Sequence, residues 1–218
     1  MSASAEEPAG ARPPTSHERL HGRPWDASYR AGRAPWDIGR PQPAIVRLAS
    51  SGGFAGAVLD AGCGTGENAL HLASLGLQVL GVDVAETALS IAREKAEARG
   101  LGAEFMAADA LELGDLGRTF DTVLDCGLFH TLDAGERRAY VASLASVTET
   151  GAVLHVLCFS DADPDAAGPH PVGREELRAV FGRAGGWDVP TITAERIEAS
   201  IDGGGAPAWL ATIGRIQR

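Results

Sequence analysis

Cysteine is scarce, and its placement rules out a scaffold: Cys63, Cys126 and Cys158 are the only three. An odd number of distant thiols, each inside or beside an apolar segment, fits neither a disulfide framework nor a zinc cluster. No stretch has metal-ligand spacing, so no metal is expected. Long apolar runs are missing too. Nothing approaches the roughly 20 residues needed to span a bilayer, and the N-terminus lacks the apolar core of a signal peptide. Positive charge is short: 19 Lys and Arg stand against 29 Asp and Glu, a formal net charge of -10. Such a surface repels a phosphate backbone. Together these absences predict a cytoplasmic protein, monomer or homodimer, with no membrane or nucleic-acid partner.

What is present is alternation. Residues 1–20 mix Ala, Pro, Glu and Ser around Pro8, Pro13 and Pro14, with little to bury, and predict a disordered tail. An arm over 21–43 follows, in which Trp25, Tyr29 and Trp36 are interleaved with Arg23, Arg30, Arg33 and Arg40. It must pack against the body or over a ligand. From Pro43 an amphipathic helix (Ala44, Ile45, Leu48) leads into strands predicted at 57–60, 78–82, 103–107, 120–125 and 153–159. Helical patterns at 67–75, 86–99 and 134–147 separate them, the signature of βαβ units and a parallel sheet. A Pro- and Asp-rich loop at 161–171 precedes a helix at 174–183. The last runs, 187–200 and 207–216, flank Asp202-Gly203-Gly204-Gly205, a reversal that favours an antiparallel hairpin. The expected fold is a single α/β domain over 21–218: a seven-stranded, mostly parallel sheet ending in a hairpin, with helices on both faces.

The most informative segment is Val58-Leu59-Asp60-Ala61-Gly62-Cys63-Gly64-Thr65-Gly66-Glu67. An apolar strand ends in an acid and passes through alternate glycines, which let a ligand lie on the backbone, into a helix. Dinucleotide enzymes also place a glycine loop here, but theirs is spaced G-x-G-x-x-G. This one reads G-x-G-x-G, and Asp60 would repel a pyrophosphate while suiting a cofactor with an ammonium group. That disfavours an NAD(P) oxidoreductase. The helix beginning near Gly66 can face a carboxylate of the same cofactor. The second strand ends at Asp83, suited to both ribose hydroxyls, and the third at Asp109, near an adenine amino group. The fourth, Phe120-Asp121-Thr122-Val123-Leu124-Asp125-Cys126, makes the pocket floor. Acids ending successive strands point to one crevice.

This order of segments, with D-x-G-C-G-T-G first, resembles the class I, Rossmann-like S-adenosylmethionine-dependent methyltransferases over residues 40–216. The resemblance implies that Asp60, Gly62 and Gly64, with Cys63 between them, hold the methionine moiety. It puts Asp83 and Val84 at the ribose, Asp109 and Ala110 at the adenine, and Cys126 near the sulfonium. Cys63 and Cys126 read as small packed residues rather than nucleophiles.

The run Ala34-Pro35-Trp36-Asp37-Ile38-Gly39-Arg40-Pro41-Gln42-Pro43 resembles the opening of thiopurine, thiol and halide methyltransferases. That likeness implies Trp36 beside the sulfonium and an arm that closes the pocket. The whole also looks like bacterial methyltransferases of quinones, phenols and heterocycles. A small-molecule acceptor is expected, with Tyr29, Trp36, Phe129, His130 and His170 as its candidate contacts. His130, in Gly127-Leu128-Phe129-His130-Thr131, is the candidate catalytic residue: a general base, a donor to the acceptor, or a partner of local backbone. A non-catalytic, cofactor-binding regulator is the alternative of another class.

Overall fold

The computed structural model describes residues 12–162, 170–200 and 205–217. Two short helices, α1 (Ser16–His21) and α2 (Trp25–Arg30), precede α3 (Pro43–Ser50), where Pro43 stands in the first turn. Proline fits there because its missing N–H has no intrahelical partner to lose. Five strands then run parallel: β1 (Ala57–Ala61), β2 (Gln78–Asp83), β3 (Glu104–Ala107), β4 (Phe120–Cys126) and β5 (Thr148–Phe159). Helices α4 (Glu67–Ser74), α5 (Glu86–Arg99) and α6 (Ala134–Ser146) lie between them, and α7 (Arg174–Val180) follows. A closing pair, β6 (Trp187–Ile197) and β7 (Ala206–Arg215), is antiparallel, with β7 inserted beside β5. The order is β3-β2-β1-β4-β5-β7-β6.

The central strands place buried apolar residues side by side, as in Val58-Leu59, Val79-Leu80, Val123-Leu124 and Val156-Leu157, because both faces are covered there. Adjacent residues take opposite sides. Leu59, Val123 and Leu154 pack with Tyr140, Leu144, Leu177 and Phe181 on one face. Val58, Leu124 and Leu157 pack with Ile45, Leu70, Leu72 and Leu89 on the other. β1 leads through α4 to β2 on one side, while its other neighbour β4 leads through α6 to β5 on the other, so connections leave the adjacent carboxyl ends of β1 and β4 in opposite directions and open a crevice there.

Three expectations need correction. The disordered tail does not reach residue 20. Thr15 caps α1, accepting the N–H of Glu18 while the Glu18 carboxylate accepts the N–H of Thr15. Ser16 then ties the helix to α6 through its N–H and hydroxyl, both donated to Glu136. β5 starts at Thr148 rather than 153, because Thr148 pairs with Phe120 across an irregularity in the register. α7 stops at Val180, and Arg183–Gly185 forms a separate tight turn. The reversal at 202–204, the loop at 163–169 and residues 1–11 lie outside the described residues. Among those described, no helix is long and apolar enough to cross a membrane.

Candidate active site

A cavity of about 320 Å³ occupies the crevice. Its floor is built at strand ends: Gly62, Cys63 and Gly64 after β1, Asp83 and Val84 at β2, Asp109 and Ala110 after β3, Cys126 and Gly127 after β4. Its roof is α1 and its approach, with Arg12, Thr15 and His17, and the arm that follows, with Trp25, Tyr29, Trp36 and Asp37.

Asp83 anchors the floor. Its Oδ2 accepts the N–H of Gly64 at 2.8 Å and its Oδ1 that of Ala85 at 2.9 Å. A carboxylate oxygen can accept a second hydrogen bond, which suits ribose hydroxyls. Burial lifts this carboxyl above the usual range, and the backbone N–H groups oppose the rise. Asp109 caps the turn after β3 with Oδ1, accepting from Leu111 at 2.9 Å, while its Oδ2 lies 3.9 Å from Arg12 Nε. Gly64 has φ +52, and a Cβ there would sit 2.9 Å from the Tyr29 hydroxyl. Glycine is thus required twice over, by backbone angle and by space.

Tyr29, expected at the acceptor, stands over the glycine loop. Its oxygen accepts the Trp36 indole N–H at 2.9 Å. Trp36 packs edge-on against Trp25, ring centroids 5.5 Å apart, and His17 stacks flat on Trp25 at 4.2 Å. The arm is clamped at its far end by Gln42, whose Nε2 donates to Glu198 O and whose Oε1 accepts the Glu198 N–H, both at 2.9 Å.

Three expected contacts do not line the cavity. Asp60 lies beneath the glycine loop, 1% exposed, with Oδ2 unpartnered. Burial, followed by the charge of Asp125, raises its pKa. It can act on a cofactor cation only as a charge under the floor. Phe129 is core: it packs on Tyr140 and Phe181, with the Arg137 guanidinium 5.0 Å above its ring. His170 offers its carbonyl to Arg137 at 3.0 Å and is not part of the wall.

His130 does line the cavity. Its Nδ1 accepts the N–H of Phe159 at 3.2 Å. The neutral ring then carries its proton on Nε2. Burial, and after it the charges of Arg137, His17 and His170, push its pKa down to about 3. A ring in this state donates a hydrogen bond and is no general base at neutral pH. The thiols of Cys63 and Cys126 are held protonated, first by burial and then by nearby carboxylates.

Residues 58–151 match the model of a methyltransferase domain. Over 189 residues, 82% of this chain and 82% of the other, the chain is 39% identical to the 2-heptyl-1-hydroxyquinolin-4(1H)-one methyltransferase of Mycobacteroides abscessus. The chain belongs to the S-adenosylmethionine-dependent methyltransferases. The methyltransferase is also 27% identical to a probable thiol methyltransferase 2 of Arabidopsis thaliana, over 72% of this chain and 70% of that one. A solved structure concerned with the conversion of a disulfide bond into a thioacetal group during echinomycin biosynthesis shares 43% identity at a TM-score of 0.79. It covers 88% of this chain and 91% of that one. The cofactor is S-adenosylmethionine, and the residues fit it: a glycine loop too tight for a side chain, a paired carboxylate at the second strand, and an uncompensated buried acid below the loop.

Sequence reading missed much of the roof. Arg12, Thr15 and His17 carry no periodic pattern, although Thr15-x-x-Glu18 is a capping signature that could have revealed α1. Thr65 and Glu67 border the cavity too, inside the segment already singled out for its glycines, and Asn68 does so immediately after it.

Proposed function

We propose that the methyltransferase acts on a small aromatic or heterocyclic molecule in specialised metabolism or detoxification, methylating an oxygen or nitrogen nucleophile in the first instance. The observation that carries this reading is the wall beyond the glycine loop. It is aromatic, with Trp25, Trp36, Phe159 and His17, and is served by one buried neutral donor, His130. A flat ring suits such walls, and an acceptor bearing a carbonyl or oxyanion suits a neutral N–H.

Bound S-adenosylmethionine supplies a methyl carbon made electrophilic by the sulfonium. The protein's part is to orient and to exclude water. Asp83 would hold the ribose, Asp109 the adenine side, Gly62 and Gly64 the backbone contacts of the methionine end. His130 would fix the acceptor for in-line displacement, which depends on close approach more than on proton removal. An acidic N-hydroxyl or phenol loses its proton without a protein base, consistent with a histidine that cannot take one. The relative acting on a 1-hydroxyquinolinone points the same way.

A second reading, transfer to a thiol or halide, is favoured by the Pro35-Trp36-Asp37 opening and by the thiol methyltransferase relative. Release of S-adenosylhomocysteine against hydroxyquinolones, phenols, N-heterocycles, aryl thiols and halides separates them. Turnover confined to thiols or halides would overturn the first reading. Binding of S-adenosylhomocysteine with no turnover on any acceptor would favour a non-catalytic regulator.

A further inference from the structure

The Trp36-Asp37 segment is held over the cavity by a chain of hydrogen bonds that begins outside it, at Lys95. This residue stands on α5 and does not line the cavity. Its Nζ donates to Thr65 O at 3.1 Å and to Thr65 Oγ1 at 2.8 Å. With a lone pair taken by the ammonium, the Thr65 hydroxyl turns its proton to Asp37 Oδ2 at 2.9 Å. Asp37 in turn accepts the N–H of Gly39 on Oδ1 at 2.8 Å. Cation, hydroxyl and carboxylate stand in series, and each bond polarises the next. Lys95 also lies 2.9 Å from Glu67 Oε1, but Arg99 already grips both oxygens of Glu67, at 2.9 and 3.0 Å. The contribution of Lys95 that nothing else duplicates is the one to Thr65.

We propose that Lys95 is a positioning residue for the cofactor: through Thr65 and Asp37 it latches the arm that carries Trp36 down onto the glycine loop. The latch joins the two motifs, P-W-D in the arm and G-C-G-T-G in the floor, by side chains. Cofactor affinity then depends on a residue that cannot touch the cofactor.

The test is a double-mutant cycle of Lys95→Met and Asp37→Ala, read by calorimetric titration with S-adenosylhomocysteine, by the rate of tryptic cleavage in the arm at Arg30 and Arg33, each followed by alanine, and by thermal unfolding. The expected result is a loss of affinity on the order of tenfold for Lys95→Met, faster arm cleavage, no further loss in the double variant, and recovery in Lys95→Arg. Additive losses would overturn the latch. So would a Lys95→Met protein that melts lower yet binds and resists trypsin as the parent does. If Lys95→Met does not fold, Thr65→Val removes the relay while keeping every charge. Unchanged affinity and cleavage in that variant would likewise overturn the proposal.

Discussion

His130 holds the backbone N–H of Phe159 on Nδ1 at 3.2 Å, and the two rings stack with centroids 4.1 Å apart. The contact fixes the tautomer as well as the position, so what His130 presents to the cavity is a proton to share. Replacement by phenylalanine keeps the stack and loses the donor. Turnover should fall by about 10²-fold, the usual cost of one preorganised donor, while the pH profile keeps the parent's shape. A limb between about pH 6 and 8 that vanishes in the variant would restore His130 as a base.

Asp83→Ala should weaken S-adenosylhomocysteine binding by at least about 10²-fold, since two hydrogen bonds to a charged acceptor are lost. Stability should drop as well, because the N–H groups of Gly64 and Ala85 lose their partner. Calorimetry at a temperature well below the variant's melting point distinguishes the two effects. Parental affinity would remove Asp83 from the ribose site.

These two residues also mark how far the sequence could be read. Asp83 was legible because a strand end, a glycine loop and a spacing together define it, and α5 was found at both ends because charged residues fill its outer face up to Gly100. Phe129 and His130 were not separable. They are neighbours in one tight turn, Phe129–Thr131, which sends one into the core and the other to the cavity, and no periodicity governs such a turn. Tyr29 does line the cavity, but its place above Gly64 was not legible for a similar reason: the arm's path depends on Asp37, Gln42 and their distant partners, not on its own pattern.

Asp60→Asn should stabilise the protein increasingly as pH rises. Burial and Asp125 push the Asp60 carboxyl up to about 7, above the unfolded value of about 3.9. A raised acid contributes stability that is full below the unfolded pKa and is lost as pH climbs through the folded one. The asparagine escapes that loss. Melting temperatures of the two proteins should nearly coincide at about pH 4 and differ by a few degrees at about pH 8. A difference independent of pH would show that Asp60 titrates normally.

Gly64→Ala should abolish cofactor binding, since the new methyl meets the Tyr29 hydroxyl at 2.9 Å and the backbone sits at φ +52. Adding Tyr29→Phe removes the collision but not the backbone strain, roughly 1–2 kcal/mol. The double variant should therefore regain part of the lost affinity in the same titration. No regain at all would place the whole penalty in the backbone.

Gln42 meets Glu198 with the paired donor and acceptor of a peptide group, so a single amide side chain does the work of an extra rung on the sheet. The antiparallel pair at the far edge and the roof are thereby one mechanical piece. A hairpin transplanted from a relative would bring its own roof height with it, and engineering of acceptor range should treat residues near 198 and residues near 36 as one cassette, although 162 positions separate them in the chain.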